Sequence, residues 1–535
     1  MGRRPRALAH MVTARWLARI ERYVPFVVVA VFLGLLAVGL RDVLTSVYLN
    51  GDAASGPVIA ELLGERNGKD VVLGEYFWLE SLYLLRAIVW LPGHRQLGQV
   101  LPLLVYALSV AGIAWSLAKA VGTRRALLVA AILACPAPVV LDALATFNFH
   151  GTALAHTALL VVGLTVLVGR GATLTRGKLV GIAVLLALVT APGIASDQLL
   201  LIGGLVQFLA AATALAVLDQ LPRRAAVAAW GAGVGALAGA GAILALASAA
   251  GIRESSKSFT TATIADVWAH TQLFLESFGL FGHGGTGQEL DVRAGLLYLA
   301  TFMTLALLTT AVVQTRRAAP RLRELPPLVA ALTVFWGAAL LALFVAFVST
   351  SAVVDALSFR YLLGAWPAVL VLVALLLRPR AGSLVLAFVA VVVGGFGIDR
   401  LARDEYEDNP SRFAEGYAAG QLAQLVEREG LDHGYSGYWT AADVTFASRF
   451  AAKTYPVQPC GAGVCAFRLH RLDAWYVPRE GVRTFYAVDE LAPEPRVGPP
   501  PAEWDPVKTV QLGQLRVYLF NYDIASRIQP GPKDR

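Results

Sequence analysis

The sequence predicts a polytopic α-helical membrane protein with a soluble mixed α/β domain at its C-terminal end. Three observations predict it. Hydrophobic residues make up 57% of the 535-residue chain and charged residues only 15%, where an ordinary soluble protein carries about a quarter of its residues as charges. The apolar residues gather into runs approaching the ~20 that a membrane-crossing helix needs. Residues 401–535 break that pattern, alternating short apolar runs with polar turns.

The mean hydropathy of +0.61 is more than water can solvate, so most of this surface must face lipid or other helices. The net charge of +8 raises nucleic acid as a partner, but Lys and Arg fall between the apolar runs. They form no basic face interleaved with aromatics, which excludes nucleic-acid binding. Three cysteines make neither a disulfide scaffold nor a metal cluster.

Eleven helical spans are expected, near 24–41, 97–118, 126–142, 154–169, 179–196, 198–218, 225–250, 294–314, 327–349, 361–377 and 382–398. The first follows an arginine-rich segment like the leading part of a signal peptide. Its length and the lack of a small-residue cleavage site make it a retained anchor. With the N-terminus inside, the inner connections and N-terminal segment carry 20 Lys and Arg, and the longer outer loops carry nine. That asymmetry orients the chain N-in, and an odd number of spans puts the C-terminal end outside. The expected location is the plasma membrane, multi-pass, with the active side and C-terminus extracytoplasmic. Two units follow: a transmembrane domain, 1–400, with outer loops 42–96 and 251–293, and an extracytoplasmic domain, 401–535.

In the first outer loop Gly56-Pro57 opens a helical pattern with one apolar face. The aromatic stretch 76–85 and the segment 259–281 read as helices at the interface, or equally as aromatic belts at the headgroup level. In the C-terminal domain an amphipathic helix is expected over 411–429. Strands are expected at 453–457, 466–469, 484–488, 508–512 and 515–522. Cys460 and Cys465 bracket a small loop, and an oxidising outer compartment favours a disulfide between them. Cys135, inside a span, reads as packing. The small-residue tract 231–241 permits close helix contact. The glycines of 282–287 precede no strand–helix unit, which excludes a nucleotide site.

The inner loops are too short to build a site, so function belongs on the outer face, where the carboxylates also gather. Asp52 follows the first span, Asp142 ends the third, and Asp197 sits in the turn between spans five and six; Glu80 lies in the first loop. A carboxylate there can deprotonate a sugar hydroxyl or hold a divalent cation (Mg, Mn or Ca). For most of them a helix cap or solvated turn explains the residue. Asp52, in a loop of small residues with room for a substrate, is the exception. His150 and His156, with no metal spacing, read as exposed polar turns, and His94 lies in an outer loop. Arg360-Tyr361 opens span ten, where the guanidinium can hold a lipid phosphate or simply anchor at the interface.

The pattern resembles the GT-C superfamily of membrane glycosyltransferases. It shares the multi-span core, a long first outer loop with Asp52 soon after span one, and a late span opening Arg360-Tyr361-Leu362-Leu363 before Pro367. It also shares the extracytoplasmic C-terminal domain. The resemblance implies a polyprenyl-phosphate-linked sugar as donor and a glycan, lipid or protein acceptor, and its composition is like that of actinobacterial cell-wall enzymes. It implies Asp52 as the catalytic or metal-binding carboxylate and Arg360, Tyr361, His94 and Arg95 at the donor phosphate. One departure is that Asp52 is followed by Ala53 and not by a second acid, so a partner carboxylate would come from Glu61, Glu80, Asp142 or Asp197. The rival readings are a transporter or lipid flippase, and a scaffold that keeps the fold without catalysis.

Overall fold

The computed structural model describes residues 51–62, 71–73, 95–144, 150–254, 260–282, 292–394, 418–461, 463–492 and 496–531. Lipid offers no partners to a backbone N–H or C=O, so apolar runs satisfy their own groups as helices. The helices before the C-terminal domain are α1 (Gly51–Leu62), α2 (Arg95–Val121), α3 (Thr123–Ala134), α4 (Pro138–Leu144), α5 (Gly151–Arg170), α6 (Arg176–Ser196) and α7 (Val206–Val217). They continue as α8 (Arg223–Ala249), α9 (Ile264–Leu280), α10 (Val292–Ala318), α11 (Pro327–Ser349), α12 (Ala365–Leu376) and α13 (Pro379–Val389). Among the described residues six helices are long and apolar enough to cross a membrane, drawn from α2, α5, α6, α8, α10 and α11. Shorter apolar helices cover Leu201–Val217, Ala365–Leu376 and Pro379–Val393. The protein is a multi-pass membrane protein.

The expected run 24–41 lies outside the described residues, as does the aromatic stretch 76–85. The run 126–142 is not one helix: Pro136 and Pro138 break it into α3 and α4, because proline removes a backbone donor and disfavours helix in the residue before it. The described helix of the first loop covers Gly51–Leu62 and carries Pro57 inside it, so Gly56-Pro57 is not its start. Arg125, counted among the inner-loop charges, is 9% exposed and donates to the carbonyls of Ala374 at 2.5 Å and Leu377 at 3.4 Å. It satisfies the last carbonyls of α12, where a cation is also favoured by the helix dipole.

The C-terminal region adds α14 (Ala418–Glu429) and α15 (Tyr438–Ala447). Its six-stranded sheet runs in the order β5-β4-β3-β7-β9-β8, from β3 (His433–Gly437), β4 (Thr454–Cys460), β5 (Gly463–Ala466), β7 (Thr484–Asp489), β8 (Lys508–Leu512) and β9 (Leu515–Phe520). β4, β3 and β7 are parallel and the flanking pairings antiparallel. The two-residue period of a strand sorts β7 between two cores. Phe485 and Ala487 pack with Leu422 and Leu425 of α14, while Tyr486 and Val488 pack on the other face with Tyr435 and Trp504. The expected strands at 484–488, 508–512 and 515–522 are present, with small shifts in their ends. Of the run 466–469 only Ala466 is in a strand, as the last residue of β5; the pairing falls on β5 and on a short β6 (Arg471–Leu472) after the run.

A second, three-stranded sheet joins distant parts of the chain. β1 (Val71–Leu73) pairs in parallel with β2 (Ile252–Glu254) on one edge and antiparallel with β6 on the other. Residues from two loops of the membrane part thus share a sheet with the C-terminal domain. Val58, Ile59 and Leu62 of α1 are buried in the same cluster as Tyr435, Tyr455 and Trp475, and α15 packs on α1. Ile243 and Phe446 touch both this cluster and the core of the helix bundle.

Cys460 and Cys465 are disulfide-bonded, closing the β4–β5 turn. Residue Gln529, near the C-terminus, pairs beside Cys465: its N–H donates to Val464 at 2.9 Å and its carbonyl accepts from Ala466 at 3.0 Å. The double variant Cys460→Ser/Cys465→Ser is expected to lose about 2 kcal/mol, the loop-closure value for so short a ring. Denaturant titration followed by tryptophan fluorescence checks this, and an unchanged midpoint would remove the bridge as a stabiliser.

Two buried histidines make the domain sensitive to acid. Burial lowers the pKa of His433; the nearby Asp523 opposes this, but Nδ1 accepts from Arg479 Nη2 at 2.9 Å, which needs the unprotonated nitrogen. Burial pushes His470 down from 6.5 to about 3. Each ring takes up a proton in the unfolded chain, near its ordinary pKa, before it does so in the native one. Stability is therefore lost as pH falls below the unfolded value, by up to about 1.4 kcal/mol per pH unit per ring. His470 has φ 49, a conformation that Asn tolerates. In urea titrations at several pH values between 7.5 and 5, His470→Asn is expected to flatten the pH dependence; an unaltered slope would show that His470 does not carry it.

Candidate functional site

The site is built where a turn is clamped onto the ends of α5 and α6. Residues Ala356–Leu362 form a 3-10 turn ahead of α12, so Arg360-Tyr361 sits on that turn and does not open a transmembrane helix. Helix α9 holds the turn. Ser277 donates to the carbonyl of Ala356 at 3.0 Å, and His270 Nδ1 lies 3.2 Å from the carbonyl of Val348 at the end of α11. Phe281 stacks on Trp366 at 5.8 Å and meets Phe359 edge-on at 6.0 Å. The aromatics of 259–281 therefore divide: Trp268 is exposed, whereas Phe274 and Phe278 are buried and support the turn. A capping box, Thr263 with Asp266, fixes the start of α9.

Arg360 lies over the ring of Tyr361, 5.4 Å from its centroid, within the range of a cation–π contact. The same ring meets His150 at 5.2 Å. His150 Nδ1 is 2.6 Å from Asp197 Oδ2, and both side chains are buried. Oδ1 of Asp197 accepts from the N–H of Leu199 at 2.8 Å, which fixes the carboxylate. Asp197 is thus both the turn residue that sequence suggested and the partner of a buried histidine. His150 is not exposed decoration: it is 4% exposed and takes a left-handed φ of 65, which aims it from the start of α5 toward the end of α6.

Close helix contact makes this pairing reachable. A Cβ added at Gly193 would meet the His156 ring at 2.4 Å, so α5 and α6 approach there as only glycine allows. His156 is 5% exposed and belongs to that packing.

Arg360, Tyr361, His150 and Asp197 thus form one line of contacts. Asp52 lies on α1, Arg95 on α2 and Asp142 on α4; their side chains are outside the described ones. Glu80 and His94 lie wholly outside the described residues. Among the described residues no group of three or more His, Cys, Asp or Glu could hold a metal ion. The pairing of His150 with Asp197 had no spacing signal, since 47 residues separate them; the histidine-bearing turn and the acid after Ala195-Ser196 were visible only singly.

This architecture, a helix bundle with a soluble domain joined to its loops, is a GT-C-like fold. The structure of ArnT from Cupriavidus metallidurans bound to undecaprenyl phosphate is similar to it with a TM-score of 0.53 and 13% identity, over 94% of this chain and 99% of that one. At that identity the likeness is one of fold. The oligosaccharyltransferase AglB from Archaeoglobus fulgidus, in complex with an inhibitory peptide and a dolichol-phosphate, aligns at TM-score 0.39 and 12% identity, over 78% of this chain and 64% of that one. The apo form of the Archaeoglobus fulgidus oligosaccharyltransferase aligns at 0.41 and 12%, over 85% and 69%. No family model and no curated protein matches the sequence.

The His150–Asp197 contact is expected to couple α5 to α6 energetically. A double-mutant cycle with His150→Asn and Asp197→Asn, read by unfolding in denaturing detergent, should give an interaction of about 1.5–3 kcal/mol, as for hydrogen bonds to charged groups. Additive effects would show that the two side chains do not depend on each other.

Proposed function

We propose that the protein is a membrane glycosyltransferase. It moves a sugar from a polyprenyl-phosphate donor to an extracytoplasmic acceptor, which is a cell-wall glycan, a glycolipid or a protein. One observation carries the reading: in a fold solved elsewhere with undecaprenyl phosphate bound, this chain fixes an arginine, Arg360, on a clamped turn beside a buried His–Asp pair.

The chemistry follows from these groups. Asp52, on α1, takes the proton of an acceptor hydroxyl. The oxygen bonds to the anomeric carbon, and the bond from that carbon to the phosphate oxygen breaks, its electron pair leaving with polyprenyl phosphate. Arg360 stabilises that charge, with His94 and Arg95 as further donors. Tyr361 holds the guanidinium from one side, and His150, tied to Asp197, holds Tyr361 from the other. A divalent cation, if used, takes Asp52 as its ligand. The disulfide supports an oxidising, extracytoplasmic location for the C-terminal domain, and the arginine-rich inner connections support the same sidedness.

The test uses the full chain in nanodiscs with a panel of radiolabelled polyprenyl-phosphate sugars, with and without chelator. One donor should be turned over; Asp52→Asn should lower kcat by about 100-fold or more, and Arg360→Gln should weaken transition-state stabilisation by about 100-fold. Loss of turnover on chelation assigns a metal to the reaction. If no donor is bound or consumed, the glycosyltransferase reading fails.

A further inference from the structure

We infer that three connected turns, on the membrane face opposite the C-terminal domain, form one binding surface for an anionic phospholipid whose headgroup carries two phosphates. The helices decide which ends meet there. A Cβ added at Gly235 of α8 would meet Ala187 of α6 at 3.0 Å, and one added at Gly239 would meet Ala191 at 2.8 Å. A step of four along one helix matches a step of four along the other, so α6 and α8 run parallel and begin side by side. The far end of α8 leads to β2 and the joint with the C-terminal domain, and both helices are long and apolar enough to cross a membrane. Their first residues therefore lie at the opposite membrane face, which on the N-in orientation is the cytoplasmic one.

At that face the turns are bound to one another. Arg224 donates from Nη2 to the carbonyl of Ala172, which ties the α7–α8 turn to the α5–α6 turn. Gln220 donates from Nε2 toward the carbonyls of Leu322, Arg323 and Leu325 at 3.2–3.3 Å, which ties it to the 3-10 turn Ala319–Glu324 between α10 and α11. The first turn carries Arg170, Arg176 and Lys178, the second Arg223 and Arg224, and the third Arg321 and Arg323. All seven are exposed, and among the described residues none of them forms an ion pair. The acids on these turns are Asp219 and Glu324. Seven cations against two acids leave an excess of five positive charges on one connected surface. A single phosphodiester brings one negative charge, and a headgroup with two phosphates balances the surface better.

Topology asks for cations on a cytoplasmic face, but not for their place on these helices. α6 opens with Arg176 and Lys178 and α8 with Arg223 and Arg224, and neither first turn holds an acid. The start of a helix is the positive end of its dipole, where cations are unfavourable and anions favoured. A phosphate set among them relieves the repulsion at both helices. The ligand is a lipid because the same helices turn apolar at once: Val180 and Val184 of α6, and Val227 and Trp230 of α8, are exposed within two turns of the cations. Acyl chains lie along those side chains while the phosphates reach the turns, the arrangement by which basic surfaces between helices take such headgroups. His150 and Asp197 join α5 to α6 at one membrane face, and the lipid holds the same two helices to α8 at the other.

The experiment uses the full chain, purified in detergent and titrated with cardiolipin, phosphatidylglycerol, phosphatidylcholine and inorganic pyrophosphate. Native mass spectrometry counts bound lipid, and thermal unfolding is the second readout. Cardiolipin should bind most tightly, raise the unfolding midpoint and resist displacement by pyrophosphate. Arg176→Gln/Lys178→Gln and Arg321→Gln/Arg323→Gln should each weaken its binding by about tenfold or more, with the midpoint in phosphatidylcholine unchanged. Arg378→Gln/Arg380→Gln removes the same charge from the connection between α12 and α13, outside the tied turns, and should leave binding within about twofold. Equal loss in all three variants would reduce the surface to general membrane electrostatics and overturn the site. Phosphatidylglycerol or phosphatidylcholine binding as tightly as cardiolipin overturns it too, and so does displacement by pyrophosphate, which would mark a phosphate site without a lipid. Donor turnover plays no part in these readouts, so this inference and the glycosyltransferase reading stand or fall separately.

Discussion

A strand of three residues, Val71–Leu73, fixes the arrangement on which the rest depends. Its backbone groups pair on both edges, with 252–254 on one side and with 471–472 on the other, and such a ladder cannot form through a bilayer. All three segments therefore lie on one side of the membrane, whichever side that is. The chain must cross an even number of times between 73 and 252, and again between 254 and 471. The six and four apolar runs read in those intervals satisfy both conditions. The exposed ion pair of Arg253 with Asp473 lies at the same joint, but such a pair contributes little; the pairing and the buried side chains of α1 hold the domain in place.

The membrane site depends on a different kind of constraint. None of its members is positioned by its own sequence neighbourhood alone. The Arg360 turn is set by aromatic packing of α9 against α12, and the His150 ring by a left-handed residue at the start of a helix. Asp197 depends on a helix end brought close through Gly193. Removing any one support changes the line of contacts without touching a charged group.

The membrane class was legible because lipid imposes long apolar runs, and the disulfide because two cysteines bracket a short turn. Arg360 and Tyr361 were legible as residues of interest because a guanidinium beside a Tyr at the start of an apolar run can hold a lipid phosphate. What could not be read were partnerships across distance. The His433–Gly437 strand, HGYSG, carries no alternating apolar pattern, because it is central and buried on both faces. β1 and β2 are three residues each, too short for any period. His150 reads from sequence as exposed because a polar turn is ordinarily solvated, and only the return of α6 buries it. Pro57 reads from sequence as a helix start, its commonest position, although the helix already includes Gly51.

The pairing of Gln529 beside Cys465 has a consequence for how copies of this domain behave toward each other. A sheet ends in strands whose unpaired backbone groups invite another chain to add on. At β5 the backbone at Gln529 occupies part of that edge and the disulfide stiffens the turn beside it. At the opposite border β8 begins with Lys508, bound to Glu429 at 2.8 Å, and alternates with polar residues. Both borders of the sheet are thereby blunted against edge-to-edge aggregation, which matters for a domain tethered in two dimensions, where neighbouring copies are confined to one plane.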